Sequence, residues 1–503
     1  MDEPDQRTSE SETISRLCDA LAEKATRDPG LPPPNPTVSS WQSVPHELAN
    51  HQSASLQSKV EVAIIGSGIT GISTAYHLLQ EQPNLSVTVL EARCLTSGAT
   101  GRNGGHCKEV PYVDYEGLKA IHGKEGARKI VQFRLSQLDA MFDVAKKLGS
   151  DVLASSMLRR VEGVDIYFDR KVFEQMKARL ANWLEDFPEE KGRWLSFEGD
   201  DLDERFGAIN AVGCMTGPAG ALWPYRFVGG VTSFLSDRQR YPNFTLETNT
   251  PVESIATSAG SEHPFKIKTT HGEIDARNVI HCTNGHAGHL LPGLRGKLFP
   301  VRGQMTLQAP PPAFPRVGDK HSWLLHYAPG YDYMTQSPTA SGELYLGGGL
   351  LTALLSGKVS VDDADVGNVR DDQQSEEALK TLETVMEERF RNGKGATVLN
   401  KWTGVMGFTI DGSPIVGKVP YSVSGRNPEI PSGGGGGEWV AAGFSGHGMA
   451  YCWLTGKAVA EMVLKGEESV GDWFPREQYA CSEERLNRFG LREKLMEFLK
   501  TVA

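Results

Sequence analysis

The sequence predicts an α/β protein that also carries a second sheet, so that the chain is α+β overall. A short apolar run at 60–65 leads into a glycine-rich turn and then into a helical pattern that continues through Leu79. A second apolar run, 87–90, follows, which completes a strand, turn, helix and strand within about thirty residues. Around 300–352, the segments FPVRGQMTLQA, YDYMTQ and ELYLGGG are strand-like, which indicates the second sheet.

Composition and charge restrict the class of protein. The chain has 503 residues, of which 39% are hydrophobic and 23% charged, values typical of a globular enzyme with more than one domain. The formal net charge of −11 argues against nucleic acid or an anionic membrane surface as the main partner. No apolar run approaches the ~18 residues that cross a bilayer, so we expect no membrane span.

The cysteines and the N-terminal residues favour a reducing compartment. The seven cysteines are an odd number and form no C-x-x-C pair, which argues against a disulfide framework and against a zinc site. His281, His286 and His289, close to Cys282, fit no standard zinc spacing, so we expect no metal. The start MDEPDQRTSESE lacks the apolar segment of a signal peptide, and we expect a cytoplasmic protein.

The glycine-rich turn has the spacing of a dinucleotide-binding motif. In Gly66-x-Gly68-x-x-Gly71 the first glycine makes the tight turn, the second lets the backbone approach a pyrophosphate, and the third lets the helix pack closely. The N-terminus of the helix then offers free N–H groups to the phosphates. Glu91 ends the second strand, where an acid accepts hydrogen bonds from ribose hydroxyls. This context predicts an ADP-containing cofactor, either NAD or FAD.

The segment that begins at Glu91 resembles the flavin-binding segment of a known family. It reads EARCLTSGATGRNGGHCKE and packs several glycines around Arg102. It is similar to the D-amino acid oxidase-like FAD oxidoreductases, nearest to the bacterial γ-glutamylputrescine oxidase type and its fungal relatives. The resemblance extends from about Trp41 to Leu464. It agrees with the chemistry of the residues, because an arginine can neutralise a pyrophosphate and glycine N–H groups can reach flavin oxygens.

A second segment, Trp402 to Gly417 followed by Gly443 to Met449, resembles the C-terminal flavin segment of the same family. The resemblance implies that a helix N-terminus near Gly446 faces the flavin N1–C2=O region, where negative charge accumulates on reduction. His447 is either a side chain near the ring or a residue whose backbone alone matters.

The resemblance also assigns two positions between these segments. Val252 matches the residue whose backbone meets the adenine, and Thr283-Asn284-Gly285 matches a strand exit near the pyrophosphate. The full set of cofactor-binding residues implied by the motif and the resemblance is Gly66, Gly68, Ile69, Thr70, Gly71, Glu91, Ala92, Arg93, Ser97, Thr100, Gly101, Arg102, Asn103, Gly104, Gly105, His106, Val252, Thr283, Asn284, Gly285, Gly446, His447, Gly448 and Met449.

The family fold implies a Rossmann-like FAD-binding domain of the glutathione reductase type. A substrate domain built from an antiparallel sheet and helices is interleaved with it. The predicted boundaries are an N-terminal extension at 1–58, a discontinuous FAD-binding domain at 59–110, 210–300 and 400–465, a substrate domain at 111–209 and 301–399, and a C-terminal helical tail at 466–503.

We expect the FAD to be bound without a covalent link. The sarcosine oxidase branch attaches its flavin through a cysteine, and the matching position here is Met406, which cannot form that bond. Other branches attach flavin through a histidine of the first segment, so His106 or Cys107 stays open as an alternative.

The resemblance implies that the chain oxidises the C–N bond of a small amine or amino-acid-like substrate. A hydride passes from the carbon beside the nitrogen to the flavin, the imine hydrolyses, and molecular oxygen takes the electrons and becomes hydrogen peroxide. Two alternatives stay open. One is an FAD dehydrogenase that passes electrons to a quinone or a protein, and the other is a flavoprotein that acts only as an assembly or binding factor.

Four residues are candidates for the catalytic site: His106, Arg302, Tyr333 and Trp402. Arg302 could pair with a substrate carboxylate through two hydrogen bonds, or it could hold a loop. Tyr333 and Trp402 could line the pocket, or they could be ordinary core aromatics. Aromatic rings in the pocket could also hold an ammonium group through cation–π contacts.

Overall fold

The computed structural model describes residues 6–199, 202–328, 330–426 and 436–502. The strands are β1 (Lys59–Ile65), β2 (Val87–Leu90), β3 (His106–Cys107), β4 (Arg159–Tyr167), β5 (Leu195–Phe197), β6 (Gly213–Ala221), β7 (Phe244–Glu247), β8 (Val252–Thr257), β9 (Phe265–Thr269), β10 (Gly272–His281), β11 (Leu298–Ala309), β12 (His321–His326), β13 (Tyr331–Gln336), β14 (Leu344–Gly348), β15 (Thr397–Thr409), β16 (Ile415–Lys418) and β17 (Gly437–Ala442).

The helices are α1 (Gln6–Ala25), α2 (Ile69–Glu81), α3 (Tyr115–Leu135), α4 (Gln137–Leu148), α5 (Ser150–Ser155), α6 (Arg170–Asp186), α7 (Leu202–Phe206), α8 (Pro224–Leu235), α9 (Ala287–Leu290), α10 (Leu350–Leu355), α11 (Glu376–Arg389), α12 (Tyr421–Ser424), α13 (Cys452–Lys465), α14 (Arg476–Tyr479), α15 (Glu483–Leu486) and α16 (Leu491–Val502). Among the described residues, no helix combines the length and the hydropathy needed to cross a membrane.

The first sheet has the strand order β16-β17-β10-β1-β2-β7, and the β8–β9 hairpin continues from β10. β17, β10, β1, β2 and β7 run parallel to one another. β1, α2 and β2 form the predicted strand–helix–strand unit, and β2 covers the predicted 87–90. Most of β1 and all of β2 are buried. Helices cover this sheet, so the apolar side chains on both faces of these strands are removed from water. The predicted α/β fold class with a Rossmann-like half is confirmed.

The second sheet has the order β15-β11-β14-β13-β12-β4-β6-β3, with β5 paired to β6. Its pairs are antiparallel except for β4 and β12, which run parallel. It therefore matches the predicted second sheet.

The two faces of the second sheet differ in chemistry, and we call them the front and back faces. Registered neighbours across the strands place Trp402, Met305, Tyr333, Leu324 and Asp165 on the front face. The alternate residues form the back face, where apolar side chains of β4, β12, β13 and β14 pack with apolar residues of α11. The back face is thus a hydrophobic core, and the front face carries the polar and aromatic groups.

Strand pairing places three strands of the predicted FAD-binding ranges in the second sheet, namely β3, β6 and β15. β6 and β15 lie within the ranges 210–300 and 400–465, or begin just before them, yet both belong to the second sheet. β4 also lies inside 111–209, a range whose pattern is largely helical in the sequence. Hydrogen-bonding partners decide sheet membership, and a single sequence does not show them. The rest of the two-domain division stays a prediction.

A buried ion pair joins two strands of the first sheet. His281 Nε2 lies 2.7 Å from Glu438 Oε1, and the Arg426 guanidinium binds the same carboxylate. Burial alone would raise the pKa of Glu438. The hydrogen bonds and charges of His281 and Arg426 outweigh burial and lower this pKa to about 2, from an ordinary 4.5.

We expect Glu438→Gln to lower the free energy of unfolding at pH 7 by about 3 kcal/mol, because it leaves the largely buried Arg426 guanidinium without its partner. In the wild type this stabilisation is complete above pH 4.5 and is lost as the pH falls towards about 2. Thermal unfolding between pH 7 and pH 3 should therefore depend less on pH in the variant. Glu468→Gln, which removes an exposed partner of Arg476, is the control. Equal unfolding of the two variants would contradict the prediction.

Candidate active site

The glycine-rich turn between β1 and α2 has no room for a side chain at its first and third glycines. Gly66 has φ +107°, and its amide donates to Leu90 O at 2.8 Å. A Cβ on Gly71 would lie 2.0 Å from Gly66 O, so only glycine permits the helix to begin this close to the strand. A Cβ on Gly68 would meet only Thr100 Oγ1, at 3.2 Å. The middle glycine therefore presents open backbone at the start of α2.

Glu91 lies beside this turn at the end of β2. Its carboxylate is buried, with one oxygen accepting from Ser67 N at 3.0 Å and Ser67 Oγ at 2.7 Å. The other oxygen accepts from Arg93 N at 3.0 Å. The amide of Ile69, at the start of α2, donates to Thr100 Oγ1 at 3.1 Å. The turn, the acid and the segment after it are thus one connected unit.

The segment 91–109 crosses from the first sheet to the front face of the second, and we call it the bridging loop. Trp402 Nε1 donates to Arg102 O at 2.9 Å, and Thr335 Oγ1 donates to Gly104 O at 2.6 Å. A Cβ on Gly104 would lie 2.6 Å from Tyr333 Cε2. The glycines let the loop lie flat on the aromatic side chains of the front face.

Residues of the N-terminal extension hold the bridging loop from the other side. Ser39 Oγ donates to Gly101 O at 2.7 Å, and Gln42 Nε2 donates to Thr96 O at 3.0 Å. Trp41 donates to Asn103 O and stacks on Tyr345, with ring centroids 3.6 Å apart. The extension is therefore part of the wall of this site.

Arg102 is fully buried where the loop, the extension and β15 meet. Its Nε donates to Thr403 O, and its Nη2 donates to Thr37 O and Oγ1. Burial lowers its pKa to about 10, although Asp371, 3.7 Å away, opposes the shift. Within the described chain, Nη1 has no hydrogen-bond partner. The arginine predicted to meet a pyrophosphate thus holds the loop through two nitrogens and keeps one donor unused.

The neighbouring Arg93 has a different role. Its guanidinium forms two 3.0 Å hydrogen bonds with the Asp371 carboxylate, and Nη1 also donates to Pro33 O. This side chain ties the start of the bridging loop to residues that follow α10.

The predicted cofactor-binding residues between the two flavin-like segments are Val252, Thr283, Asn284 and Gly285. Asn284 Oδ1 accepts from Gly443 N at 3.0 Å, and a Cβ on Gly285 would lie 2.7 Å from Met406 O. Thr283 Oγ1 is buried, with no partner among the described residues. Val252 begins β8 and is buried. The strand exit after β10 therefore packs against both parts of the second flavin-like segment.

The Gly446–Met449 segment forms a short turn that leads into α13. Gly446 has φ +84°, and residues 448–450 form one turn of 3₁₀ helix. The His447 side chain is accessible, yet desolvation by the surrounding protein lowers its pKa. Tyr331 is likewise 49% exposed, while desolvation raises its pKa. We call the accessible space beside His447 and on the front face at Tyr331 the cleft.

His106 and Tyr333 face each other on the front side of the second sheet. Their rings meet edge to face with centroids 5.8 Å apart, and Tyr333 OH lies 3.3 Å from Met305 Sδ. Burial, helped by Lys108 and Arg159, lowers the pKa of His106 to about 3, so the imidazole is neutral. Neither ring nitrogen has a partner within the described residues. Trp402 is buried completely beneath the bridging loop.

Arg302 does not reach this cleft, which corrects its assignment as a substrate-binding candidate. It pairs with Val405 in the register of β11 and β15, so its side chain points to the back face. Its Nε donates to Asp365 Oδ1 at 2.6 Å, and Nη2 donates to Asp363 O at 3.0 Å. The alternative role holds: Arg302 anchors a loop. Side-chain alternation along the strand decides between the two roles.

Several polar residues of the front face were missed by sequence reasoning. Asp165 accepts from Tyr112 OH at 2.7 Å and pairs with Lys108. The rings of Tyr167 and His326 stack with centroids 4.5 Å apart. These residues lie on β4 and β12, neither of which has a clear strand signal in the sequence. The β-branched and aromatic residues in RRVEGVDIY were the available signal.

The family model described as FAD dependent oxidoreductase (DAO) matches residues 61–462, and the chain belongs to this family. Gamma-glutamylputrescine oxidoreductase of Escherichia coli is 23% identical over 82% of this chain and 85% of its own length. Sarcosine oxidase subunit beta of Rhodobacter capsulatus is 24% identical over 81% of this chain and 86% of its own length. The predicted family is therefore confirmed.

Solved structures show the same fold at low identity. Glycine oxidase from Geobacillus kaustophilus aligns with a TM-score of 0.61 at 17% identity, over 84% of this chain and 99% of that one. L-proline dehydrogenase from P. horikoshii also aligns with a TM-score of 0.61, at 19% identity, over 84% of this chain and 98% of that one. The architecture of two sheets joined by a bridging loop is thus that of the DAO-type flavoproteins.

The residues of the glycine-rich turn, the bridging loop and the Gly446–Met449 segment fit FAD, the cofactor of this family. The turn that leaves Gly68 open, the unused Arg102 Nη1 and the unpartnered Thr283 Oγ1 suit a diphosphate. The unpartnered His106 nitrogens and the accessible turn at Gly446 suit a polar ring system between the sheets. In the described part of the chain, no group of three or more His, Cys, Asp or Glu residues is arranged to hold a metal ion.

Substitutions in the glycine-rich turn should separate effects on folding from effects on cofactor binding. Gly71→Ala should lower both the thermal stability and the flavin content of the purified protein, because its Cβ meets Gly66 O at 2.0 Å. Gly68→Ala should keep the melting temperature of the FAD-free protein and weaken FAD binding about tenfold or more, a loss of about 1.4 kcal/mol. Gly98→Ala, with nothing within 4 Å of its Cβ, is the control. Equal FAD affinity of Gly68→Ala and Gly98→Ala would contradict the prediction.

Arg302→Gln should act on stability and leave substrate binding unchanged. Its removal leaves the buried Asp365 unpaired, which costs about 3 kcal/mol in the free energy of unfolding. Thermal unfolding and the KM of the holoenzyme are the two measurements. Arg370→Gln removes an exposed arginine that pairs with Asp372 and serves as the control. A raised KM with unchanged stability would restore the carboxylate role of Arg302.

Proposed function

We propose that this protein oxidises the C–N bond of an amine or amino-acid-like substrate and passes the electrons to molecular oxygen. One observation carries the proposal: the bridging loop contacts both the glycine turn of the first sheet and the front face of the second. Residues of the turn would hold the diphosphate of the cofactor, and front-face residues beside His106 and Tyr333 would hold its ring system.

The residues that we propose to hold FAD are those of the turn, the loop and the Gly446–Met449 segment. When bound, FAD supplies two-electron chemistry by accepting a hydride from the carbon beside the substrate nitrogen. Overall, one amine, one oxygen and one water give a carbonyl compound, the released nitrogen product and one hydrogen peroxide.

The protein contributes orientation and desolvation in this scheme. His106 is a neutral imidazole, so it adds no charge beside the reacting amine. The ring of Tyr333 is fixed by Gly104 and Met305, which makes it a rigid wall. A rigid, desolvated cleft lets a neutral amine meet the ring system in one orientation. Hydride transfer from a neutral amine needs no strong base.

We further propose that the flavin is held without a covalent bond. Met406 occupies the position at which a cysteine attaches the flavin in the sarcosine oxidase branch. The Cys107 thiol donates to Met449 O at 3.4 Å, and burial raises its pKa to about 12, so it is not a thiolate. All seven cysteines are free, which supports the proposed cytoplasmic location.

A dehydrogenase is the second candidate for this chain. Two of the similar proteins are called L-proline dehydrogenase and probable malate:quinone oxidoreductase, names that describe those proteins. In that case the same hydride transfer would be followed by electron transfer to a quinone or a protein.

An anaerobic titration tests the proposal. We expect the yellow absorbance of the purified holoenzyme to bleach when pooled amines, polyamine derivatives or amino acids are added. Readmitted air should restore the colour within seconds and form one hydrogen peroxide per flavin. Slow recovery in air with fast recovery on addition of a quinone would favour the dehydrogenase. Absence of bleaching by every pool would refute amine oxidation, and flavin that stays with acid-precipitated protein would refute non-covalent binding.

A further inference from the structure

Two arginines of the bridging loop share one buried acid, Asp371. Arg93 binds both oxygens of its carboxylate, with Nη1 to Oδ1 and Nη2 to Oδ2 each at 3.0 Å. Arg102 Nε lies 3.7 Å from Oδ2 of the same carboxylate. The Asp371 side chain is 2% exposed, so water does not screen these contacts. We call Arg93, Arg102 and Asp371 the Asp371 cluster.

Two threonines fix the acid and one of the arginines at the same place. The carbonyl oxygen of Asp371 accepts from Thr37 N at 2.8 Å, from Thr37 Oγ1 at 2.8 Å and from Thr403 Oγ1 at 2.9 Å. The carbonyl oxygens of Thr37 and Thr403 in turn accept from Arg102. Because both residues are held by the same two threonines, Asp371 and Arg102 stay close to each other.

The Arg93 side chain has no hydrogen-bond donor left for a cofactor. A guanidinium has five N–H groups. In Arg93, Nε donates to Ser97 Oγ, Nη1 donates to Pro33 O and Asp371, and Nη2 donates to Ser97 O and Asp371. These contacts use all five groups. The Arg93 side chain is therefore bound to protein groups alone.

Arg102, in contrast, keeps the donors of one nitrogen unused. Its Nε donates to Thr403 O, and its Nη2 donates to Thr37 O and Oγ1. Nη1 has no partner in the described part of the chain. The two neighbouring arginines thus differ in one respect that matters for a ligand: Arg93 is saturated, and Arg102 is not.

The charge of the Asp371 cluster suits a diphosphate. Two guanidinium groups and one carboxylate give a net charge of +1 when all three are ionised. The charges of Arg93 and Asp371 also act on His286, but burial lowers the pKa of His286, so this imidazole is neutral and does not change the sum. A diphosphate is an anion that arginine binds well.

The distances indicate what the acid would do without Arg93. A buried carboxylate that has lost its donors is strongly unfavourable. Arg102 is the other described cation within 4 Å of Asp371, and its unused donors are those of Nη1. An ion pair between Asp371 and these donors would take them from a ligand, and the cluster would be neutral. Both changes weaken the binding of an anion.

We propose that Arg93 is a positioning residue, which occupies the carboxylate of Asp371 and so keeps Arg102 Nη1 available to the diphosphate of FAD. Arg93 acts through Arg102, and its own side chain does not contact the cofactor. This inference rests on the proposed FAD site and does not depend on which substrate is oxidised.

Release of FAD from the purified holoenzyme tests this role. Dilution frees part of the FAD, and the fluorescence of the released flavin gives the Kd. We expect Arg93→Gln to raise this Kd about tenfold or more, because Asp371 then pairs with Arg102. Arg370→Gln removes an exposed arginine next to Asp371 in the chain, and as the control it should change the Kd less than about twofold. An unchanged Kd in Arg93→Gln would overturn the inference.

A second substitution distinguishes positioning from a structural role. In Arg93→Gln/Asp371→Asn the competing carboxylate is absent and the net charge is again +1, so the Kd should return to within about threefold of the wild-type value. Asp371→Asn alone should bind FAD at least as tightly as that, although it should unfold at a lower temperature because Arg93 has lost its partner. Loss of FAD affinity in Asp371→Asn, or no rescue in the double variant, would overturn the inference.

Arg93→Lys keeps the test decisive if Arg93→Gln does not fold. Lysine retains the charge, but its ammonium group lacks the planar fork that binds both carboxylate oxygens. One oxygen of Asp371 is then left to Arg102. We expect a Kd at least about threefold above the wild-type value, restored by Asp371→Asn. Equal Kd values for Arg93→Lys and the wild type would overturn the inference.

These measurements are independent of the oxidation assay. If the expected pattern of Kd values is found in a protein whose flavin no amine bleaches, the proposed oxidation fails and the positioning role of Arg93 stands. If amines bleach the flavin and the pattern is absent, the oxidation stands and the positioning role fails.

Discussion

The bridging loop is the constraint on which the rest of the site depends. It begins after β2 at Glu91 and includes β3, so one short segment connects the first sheet to the second. It contains little regular structure of its own, since glycine-rich chain loses much conformational entropy on ordering. Its shape comes from outside contacts instead: Trp402 and Thr335 of the second sheet, and Ser39 and Trp41 of the N-terminal extension.

Arg102 shows how many contacts fix the position of the bridging loop. A fully buried guanidinium is unfavourable unless its donors are satisfied. Thr403 and Thr37 satisfy two of its nitrogens and come from opposite ends of the chain. The third nitrogen has no partner among the described residues. One side chain thereby couples the position of the N-terminal extension, the loop and β15 to the cofactor site.

Side chains alternate between the two faces of the second sheet, so each face makes different contacts. Trp402 and Tyr333 on the front face meet the bridging loop, while Arg302 and the apolar back-face residues meet α11 and the loop that contains Asp365. A shift of one residue in register would exchange the two sets. The electrostatics of the cleft follow from this arrangement: Arg302 is removed from the cleft, whereas the neutral His106 lies on the front side.

The sequence alone determined those features of this protein that depend on neighbouring residues in the chain. The glycine spacing, the two apolar runs and the acid at the end of the second run define a strand–turn–helix–strand unit, because each of these signals depends on neighbours in the chain. The same holds for the family, which rests on contiguous motifs around Arg102 and Gly446. The tertiary structure decided what depends on distant partners: that β6 and β15 join the second sheet, that Arg302 turns away from the cleft, and that Arg93 and Arg102 share one acid, Asp371. Strand pairing and side-chain facing are set by contacts between residues that are distant in the chain, and no local pattern in a single sequence carries that information.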